Sequence, residues 1–209
     1  MAVMRAGRAA CPALVSGVTR HDVHRSHPHL SETQRQAVDQ ILGSRDRVVA
    51  LEGVAGAGKT TSVAAAAQAW QAVGYRVVGT AVKGEAARTL AAATGIECET
   101  VAWYLVHDDP HANPLDSRTV LVVDEASTLS DRDLDQLMRM AASAGATLRL
   151  IGDPAQHGAI AAGGMFRVLC ERHERDTPEL VTTHRVRDPN DRAAAEALRD
   201  GRIDDALDH

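Results

Sequence analysis

The chain has 209 residues, 44% of them hydrophobic, which is enough for one large domain with a real core. Its formal net charge of −5 excludes a globally basic protein that coats nucleic acid, so any DNA or RNA contact must lie in a local groove. No apolar run approaches the ~20 residues of a membrane span. Cys11, Cys98 and Cys170 show neither C-x-x-C nor disulfide-like spacing, so reduced thiols, a cytoplasmic location and no membrane partner are expected.

Residues 1 to 20 hold arginines and no acid, but the apolar stretch Ala9 to Val18 is broken by Pro12 and lacks a cleavage signature. His21, His24, His27 and His29 follow, without a cysteine or carboxylate that completes a recognisable metal set. Residues 1–29 are therefore expected to be a flexible leader or linker. Leu30-Ser31-Glu32-Thr33-Gln34 then opens a helix through Leu42, with Ser31 as N-cap and Gln34 at the third position of a capping box.

The β-branched run at 47 to 51 leads into Gly53-Val54-Ala55-Gly56-Ala57-Gly58-Lys59-Thr60-Thr61, and then into an alanine-rich helical pattern near 59 to 73. Strand, glycine loop and helix in that order are the context a phosphate-binding loop requires. Its glycines let successive backbone N–H groups turn toward a polyphosphate, and the helix adds its positive end. Lys59 would reach the β and γ phosphates and the Thr60 hydroxyl would ligate Mg²⁺, so a nucleoside triphosphate with Mg²⁺ is the expected ligand. A chance glycine-rich turn with an exposed lysine is the plain alternative.

A strand is expected at 76 to 80, a helix at 84 to 94, and a shorter, less defined helical piece near 100 to 106. Residues 107 to 118 hold two prolines and three aspartates and read as a surface loop. The apolar strand 119 to 123 ends in Asp124-Glu125. Asp124 would hold Mg²⁺ through its hydration shell, and Glu125 would be the general base for the attacking water. Such an ending also marks ordinary strand exits; pairing with the glycine loop gives it its meaning.

Ser130-x-x-Asp133 starts a helix over 131 to 144. The strand 147 to 151 ends in Gly152-Asp153-x-x-Gln156, where a glutamine can sense the γ-phosphate or simply face solvent from a turn. A helix near 164 to 172 and a strand at 179 to 182 lead to Arg185, a γ-phosphate contact or a surface arginine. The alternation of strands and helices predicts an α/β fold: a mainly parallel sheet with helices on both faces and the ligand beyond the carboxyl ends of the strands.

These motifs, in this order, resemble superfamily 1 DNA helicases of the RecD-like branch. The match covers about residues 30 to 208. Within the branch the chain looks most like the helicase portion of TrwC/TraI-type (MobF) conjugative relaxases, through Gly79-Thr80-Ala81, Ala86-Ala87-Arg88, Thr100-Val101-Ala102-Trp103, Gly163-Gly164 and Leu198-Arg199-Asp200-Gly201. The resemblance implies a P-loop NTPase of RecA-like three-layer fold and an ATP-dependent DNA helicase. Gln34 is then the adenine-reading glutamine, residues 53 to 61 motif I, Asp124-Glu125 motif II, Gln156 part of motif III and Arg185 motif IV. It also implies single-stranded DNA contacts through Thr80, Lys83, Arg88, Thr100 and Trp103. From the residues alone, Trp103 reads more readily as a core side chain than as a stacking surface, and Lys83 equally as a solvated lysine at a helix start.

The family's motor uses two RecA-like domains, and motifs V and VI are not found in this sequence. The expected organisation is a motor domain over 30–188 and, over 189–209, a helical start toward a second RecA-like domain supplied in cis or in trans. The chain alone is expected to bind ATP–Mg²⁺, to hydrolyse it slowly and not to translocate, and it reads as a fragment of a larger helicase. The departure at His157 leaves the DNA-facing loop's shape open. Two other readings stay open: an ATP-binding module that occupies DNA or a partner without hydrolysis, and a small P-loop kinase, against which Gly152-Asp153-x-x-Gln156 speaks.

Overall fold

The computed structural model describes residues 9, 11, 15, 17–54, 56–107, 114–155, 164–172 and 179–180. Helices α1 (Gly17–Ser26) and α2 (Glu32–Gly43) precede β1 (Val48–Gly53) and α3 (Lys59–Ala72). Then come β2 (Arg76–Ala81), α4 (Gly84–Thr94), β3 (Glu97–Thr100), α5 (Val101–Val106) and β4 (Thr119–Val123). A 3₁₀ turn at Ala126–Thr128 leads to α6 (Asp131–Ala144), β5 (Thr147–Gly152), α7 (Met165–Arg172) and β6 (Glu179–Leu180).

The strands form one sheet in the order β3-β2-β4-β5-β1-β6, and every described pairing is parallel. Central strands of such a sheet are covered on both faces, which is why β4 and β5 are apolar or buried at every position. Alternate residues divide between two cores. Val120 and Val122 join a cluster with α2 and α3, while Leu121 and Val123 join a cluster with α6 and α7. This is the three-layer α/β arrangement expected from the alternation of elements.

Local sequence explains the helices that frame the site. Ser31 caps α2 with the expected box: its hydroxyl accepts from the Gln34 N–H at 3.3 Å, and Gln34 Oε1 accepts from the Ser31 N–H at 2.9 Å. Ala37, Val38, Ile41 and Leu42 form its buried stripe. α3 is alanine-rich and buries Ala65, Ala66, Ala67 and Ala69 with Trp70, so small side chains bring it close to the sheet. Ser130 caps α6 by accepting from the Asp133 N–H at 3.1 Å, as its spacing predicts.

Two elements depart from expectation. Residues 17–26, expected within a flexible leader, form α1. Val23 and the preceding Val15 are buried against α2 and α3, and His24 Nε2 lies 3.0 Å from Asp39 Oδ1 of α2. Pro12 before Val15, and the histidines and arginines around Val23, interrupt the apolar pattern, so no helical period shows in the sequence. β3 was not anticipated either, because Glu97-Cys98-Glu99-Thr100 is polar. It lies at the sheet edge, with both glutamates exposed.

Candidate functional site: a nucleotide cleft at the carboxyl edge of the sheet

β1 delivers the glycine loop and α3 carries it away. Gly56 and Gly58 adopt left-handed backbone, with φ of 82° and 80°, which a side chain would oppose; two glycines in the loop meet that need. Gly58 is also the N-cap of α3, and its carbonyl accepts from the N–H and hydroxyl of Ser62 at 3.0 and 3.2 Å. Gly53 is required by close approach. A Cβ there would stand 2.9 Å from Leu180 Cβ and 3.0 Å from Lys59 Cγ. The lysine stem therefore lies back along the loop, and Nζ donates to the carbonyls of Gly53 and Val54. Val54 N–H in turn donates to the Leu180 carbonyl of β6 at 3.2 Å.

Gln34 reaches the same loop. Its Nε2 donates to the Ala57 carbonyl at 3.2 Å while Oε1 serves the capping box, and the residue is 5% exposed. Here the glutamine ties the start of α2 to the phosphate-binding loop.

The carboxylates arrive from β4. Asp124 is half-buried, and its N–H donates to the Thr80 carbonyl of β2 at 2.8 Å. Burial holds its carboxyl above the usual range; the N–H of Glu125, which donates to Oδ1 at 2.9 Å, opposes the shift, the Glu125 charge adds to it, and Lys59 again opposes it. Glu125 is exposed and holds left-handed backbone, with φ 51° and ψ 37°, an uncommon conformation for a side chain of this kind. The 3₁₀ turn fixes it, since its carbonyl accepts from the N–H and hydroxyl of Thr128, each at 2.8 Å.

Gly56, Gly58, Lys59, Thr60, Thr61, Asp124 and Glu125 line one cleft of about 700 Å³. Two lysines and four carboxylates face it, counting Lys59 and Lys83 against Glu85, Asp124, Glu125 and Asp153. That balance disfavours a bare polyphosphate and suits one carried with a divalent cation. The donors fit such a cation: Thr60 and Asp124 supply the hard oxygen ligands that Mg²⁺ takes.

A family model described as an AAA domain matches residues 29–209. The chain belongs to this AAA-domain family. It is 40% identical over 162 residues to the probable conjugal transfer protein TraA of Sinorhizobium fredii, covering 78% of this chain and 14% of that protein. It is 35% identical over 141 residues to the ATP-dependent RecD2 DNA helicase of Deinococcus radiodurans, covering 64% of this chain and 19% of that one. The crystal structure of Pif1 helicase from Candida albicans shares the fold, with a TM-score of 0.63 and 21% identity over 86% of this chain and 46% of that one. These likenesses support the first domain of a superfamily 1 RecD-like helicase. The chain spans less than a fifth of the TraA and RecD2 proteins it matches.

Within this AAA domain, the residues expected to touch DNA separate. Thr80 is fully buried, so its side chain does not reach the surface; its carbonyl serves Asp124 instead. Lys83 lines the nucleotide cleft. Arg88 and Thr100 flank Gly84, where an added Cβ would lie 3.6 Å from Arg88 Nη1 and 3.8 Å from Thr100 Cγ2. Thr100 also caps α5, its hydroxyl accepting from the Trp103 N–H at 3.2 Å. Trp103 is half-buried, stacks on His107 with centroids 4.3 Å apart, and meets Tyr104 edge-on at 5.1 Å.

Ala55, Gln156 and Arg185 lie outside the described residues, as does His157. Sequence reasoning did not assign Glu85, Thr89, Ser127 or Asp153 to the cleft, yet all four line it. Asp153 carried a signal, since it stands in the Gly-Asp-x-x-Gln run; it is 8% exposed and accepts from the Ala155 N–H at 3.0 Å. Glu85 and Thr89 are four apart on α4, and that shared face was the missed clue.

Proposed function

We propose that the chain is the ATP-binding and ATP-hydrolysing motor domain of a DNA helicase acting on single-stranded DNA, within a conjugative relaxase/helicase. One observation carries the reading: Lys59, Thr60, Asp124 and Glu125 line a single cleft at the carboxyl edge of a parallel sheet. Val54 to Thr61 bind the phosphates, with Lys59 toward the β and γ groups. Mg²⁺, when bound through Thr60 and an Asp124-held water, neutralises charge on the transferring phosphoryl group. Glu125 takes a proton from the attacking water. Gln156 would sense the terminal phosphate and Arg185 would contact it.

Single-stranded DNA is assigned to the polar surface of Arg88, Thr100 and Trp103, with a second RecA-like domain as partner in cis or in trans. The motor domain is assigned to residues 30–188, with 189–209 leading to that partner. Among the described residues no helix is long and apolar enough to cross a membrane; a cytoplasmic location is part of the proposal.

Steady-state ATP hydrolysis by the purified chain, with and without single-stranded DNA, tests the reading beside Lys59→Ala and Glu125→Gln. Slow hydrolysis that DNA stimulates and that either substitution abolishes supports it. ATP binding that depends on Lys59, with no turnover under any condition, would instead mark a non-hydrolysing module.

A further inference from the structure

Lys83 stands where two elements meet. It is the N-cap of α4, with extended backbone at φ −100° and ψ 139°, and its exposed side chain lines the same cleft as Lys59, Thr60 and Asp124. Glu85 and Thr89 continue that lining, four residues apart on one face of α4. Arg88 lies toward Gly84 and Thr100, and is not part of the lining. α4 thus has a cleft side and a separate polar side, while Ala87 and Leu90 bury it in the domain.

The strand order says which end of the cleft Lys83 serves. β2 is the neighbour of β4, and the Thr80 carbonyl at the end of β2 is bonded to the Asp124 N–H at the end of β4. Lys83 follows Thr80 by one short turn, so it enters on the side of Asp124 and Glu125. The glycine loop enters from β1, beyond β5. Asp124 and Glu125 mark the end at which a terminal phosphate is attacked. There the carboxylates gather, and a triphosphate adds more negative charge than a diphosphate does.

Resting on the nucleotide reading above, we propose that Lys83 is a second phosphate-contacting cation, placed at the terminal phosphate, and that it makes the cleft prefer a nucleoside triphosphate to a diphosphate. This replaces the expected role of Lys83 as a DNA-backbone contact. Glu85 beside it limits the attraction, so that the terminal phosphate is held most firmly when Mg²⁺ accompanies it.

The test is equilibrium titration of the full chain, without DNA, with Mg–ATP and separately with Mg–ADP. Wild type, Lys83→Ala, Lys83→Arg and Lys59→Ala are compared. Lys83→Ala should weaken Mg–ATP by about tenfold and Mg–ADP by less than about twofold, whereas Lys83→Arg, which keeps the charge, should retain most of the preference. Lys59→Ala should weaken both nucleotides. If Lys83→Ala binds Mg–ATP as wild type does while Lys59→Ala does not, the inference is overturned and the nucleotide reading stands. In a separate titration of the same variants with a single-stranded oligonucleotide, a loss in Lys83→Ala confined to DNA binding overturns it in the same way. If wild type takes up neither nucleotide, the nucleotide reading fails and this inference with it.

Discussion

The N–H of Asp124 donates to the carbonyl oxygen of Thr80 at 2.8 Å, joining the strand that delivers the cleft carboxylates to the strand that leads into α4. Thr80 lies near the end of β2, a short connection before Gly84, so the cleft carboxylates and the start of α4 are joined through this bond and that connection. α4 carries cleft-lining Lys83, Glu85 and Thr89, and Arg88 beside Thr100. This is a short physical link between the proposed nucleotide and DNA surfaces.

Glu125 pays a conformational cost to hold its place. A non-glycine residue in the left-handed region is disfavoured by about 1 kcal/mol. Glu125→Gly should therefore stabilise the domain to urea by about that amount, whereas Glu125→Gln should leave stability within about 0.5 kcal/mol of wild type. Both should lose hydrolysis. Equal stability for the two variants would mean that the left-handed backbone carries no strain.

Asp124 gives a pH-dependent expectation. Burial raises its folded-state pKa above the unfolded value, so over the window between the two the folded chain binds the proton more readily. Its contribution to stability rises as pH falls through that window, and at neutral pH the charge is a cost. In chelator and without nucleotide, Asp124→Asn should be more stable than wild type near pH 7 by about 1 kcal/mol. The gap should close as pH drops below about 4. Urea titrations across pH read this directly, and a neutral-pH loss of stability in Asp124→Asn would refute it.

Gln34 is expected to act as a clamp. Its removal frees the Ser31 N–H and the Ala57 carbonyl, so Gln34→Ala should cost about 1–2 kcal/mol in urea unfolding. It should also weaken Mg–ATP binding, because Ala57 belongs to the phosphate-binding loop. Unchanged stability would show that neither bond contributes.

Gly79 tests the packing of the edge strand. An added Cβ would lie 2.4 Å from Cys98 Sγ, 2.8 Å from Leu90 Cδ2 and 3.2 Å from Ile96 Cδ1. Gly79→Ala should destabilise by about 1–3 kcal/mol. Adding Cys98→Ala should recover part of that loss, and a double-mutant cycle with zero coupling would contradict the contact.

The parts of this fold that read cleanly in the sequence are those where burial dictates composition. β1, β4 and β5 are mostly apolar because neighbours cover both faces, with Glu52 in β1 and the buried Thr147 and Arg149 in β5 among the exceptions, and Ser31 and Ser130 announce their helices through side-chain caps that the structure contains. β3 stayed hidden because an edge strand tolerates exposed glutamates, and α1 because Val23, one of its buried anchors, stands among histidines and arginines. At the site, the spacing of Gly53, Gly58 and Lys59 gave the loop, and Asp124-Glu125 followed from the end of β4. No sequence rule gives Glu125 its positive φ. Thr80 misled for a physical reason: its carbonyl, which any residue has, does the work, while its side chain is buried.

The cleft built on Lys59 is proposed to hold a nucleoside triphosphate with Mg²⁺. The most direct measurement is unfolding of wild type and Lys59→Ala with and without Mg–ATP. A ligand at one hundred times its Kd should stabilise wild type by about 2.7 kcal/mol, with little effect on Lys59→Ala. Equal stabilisation of both proteins, or of neither, would contradict the account.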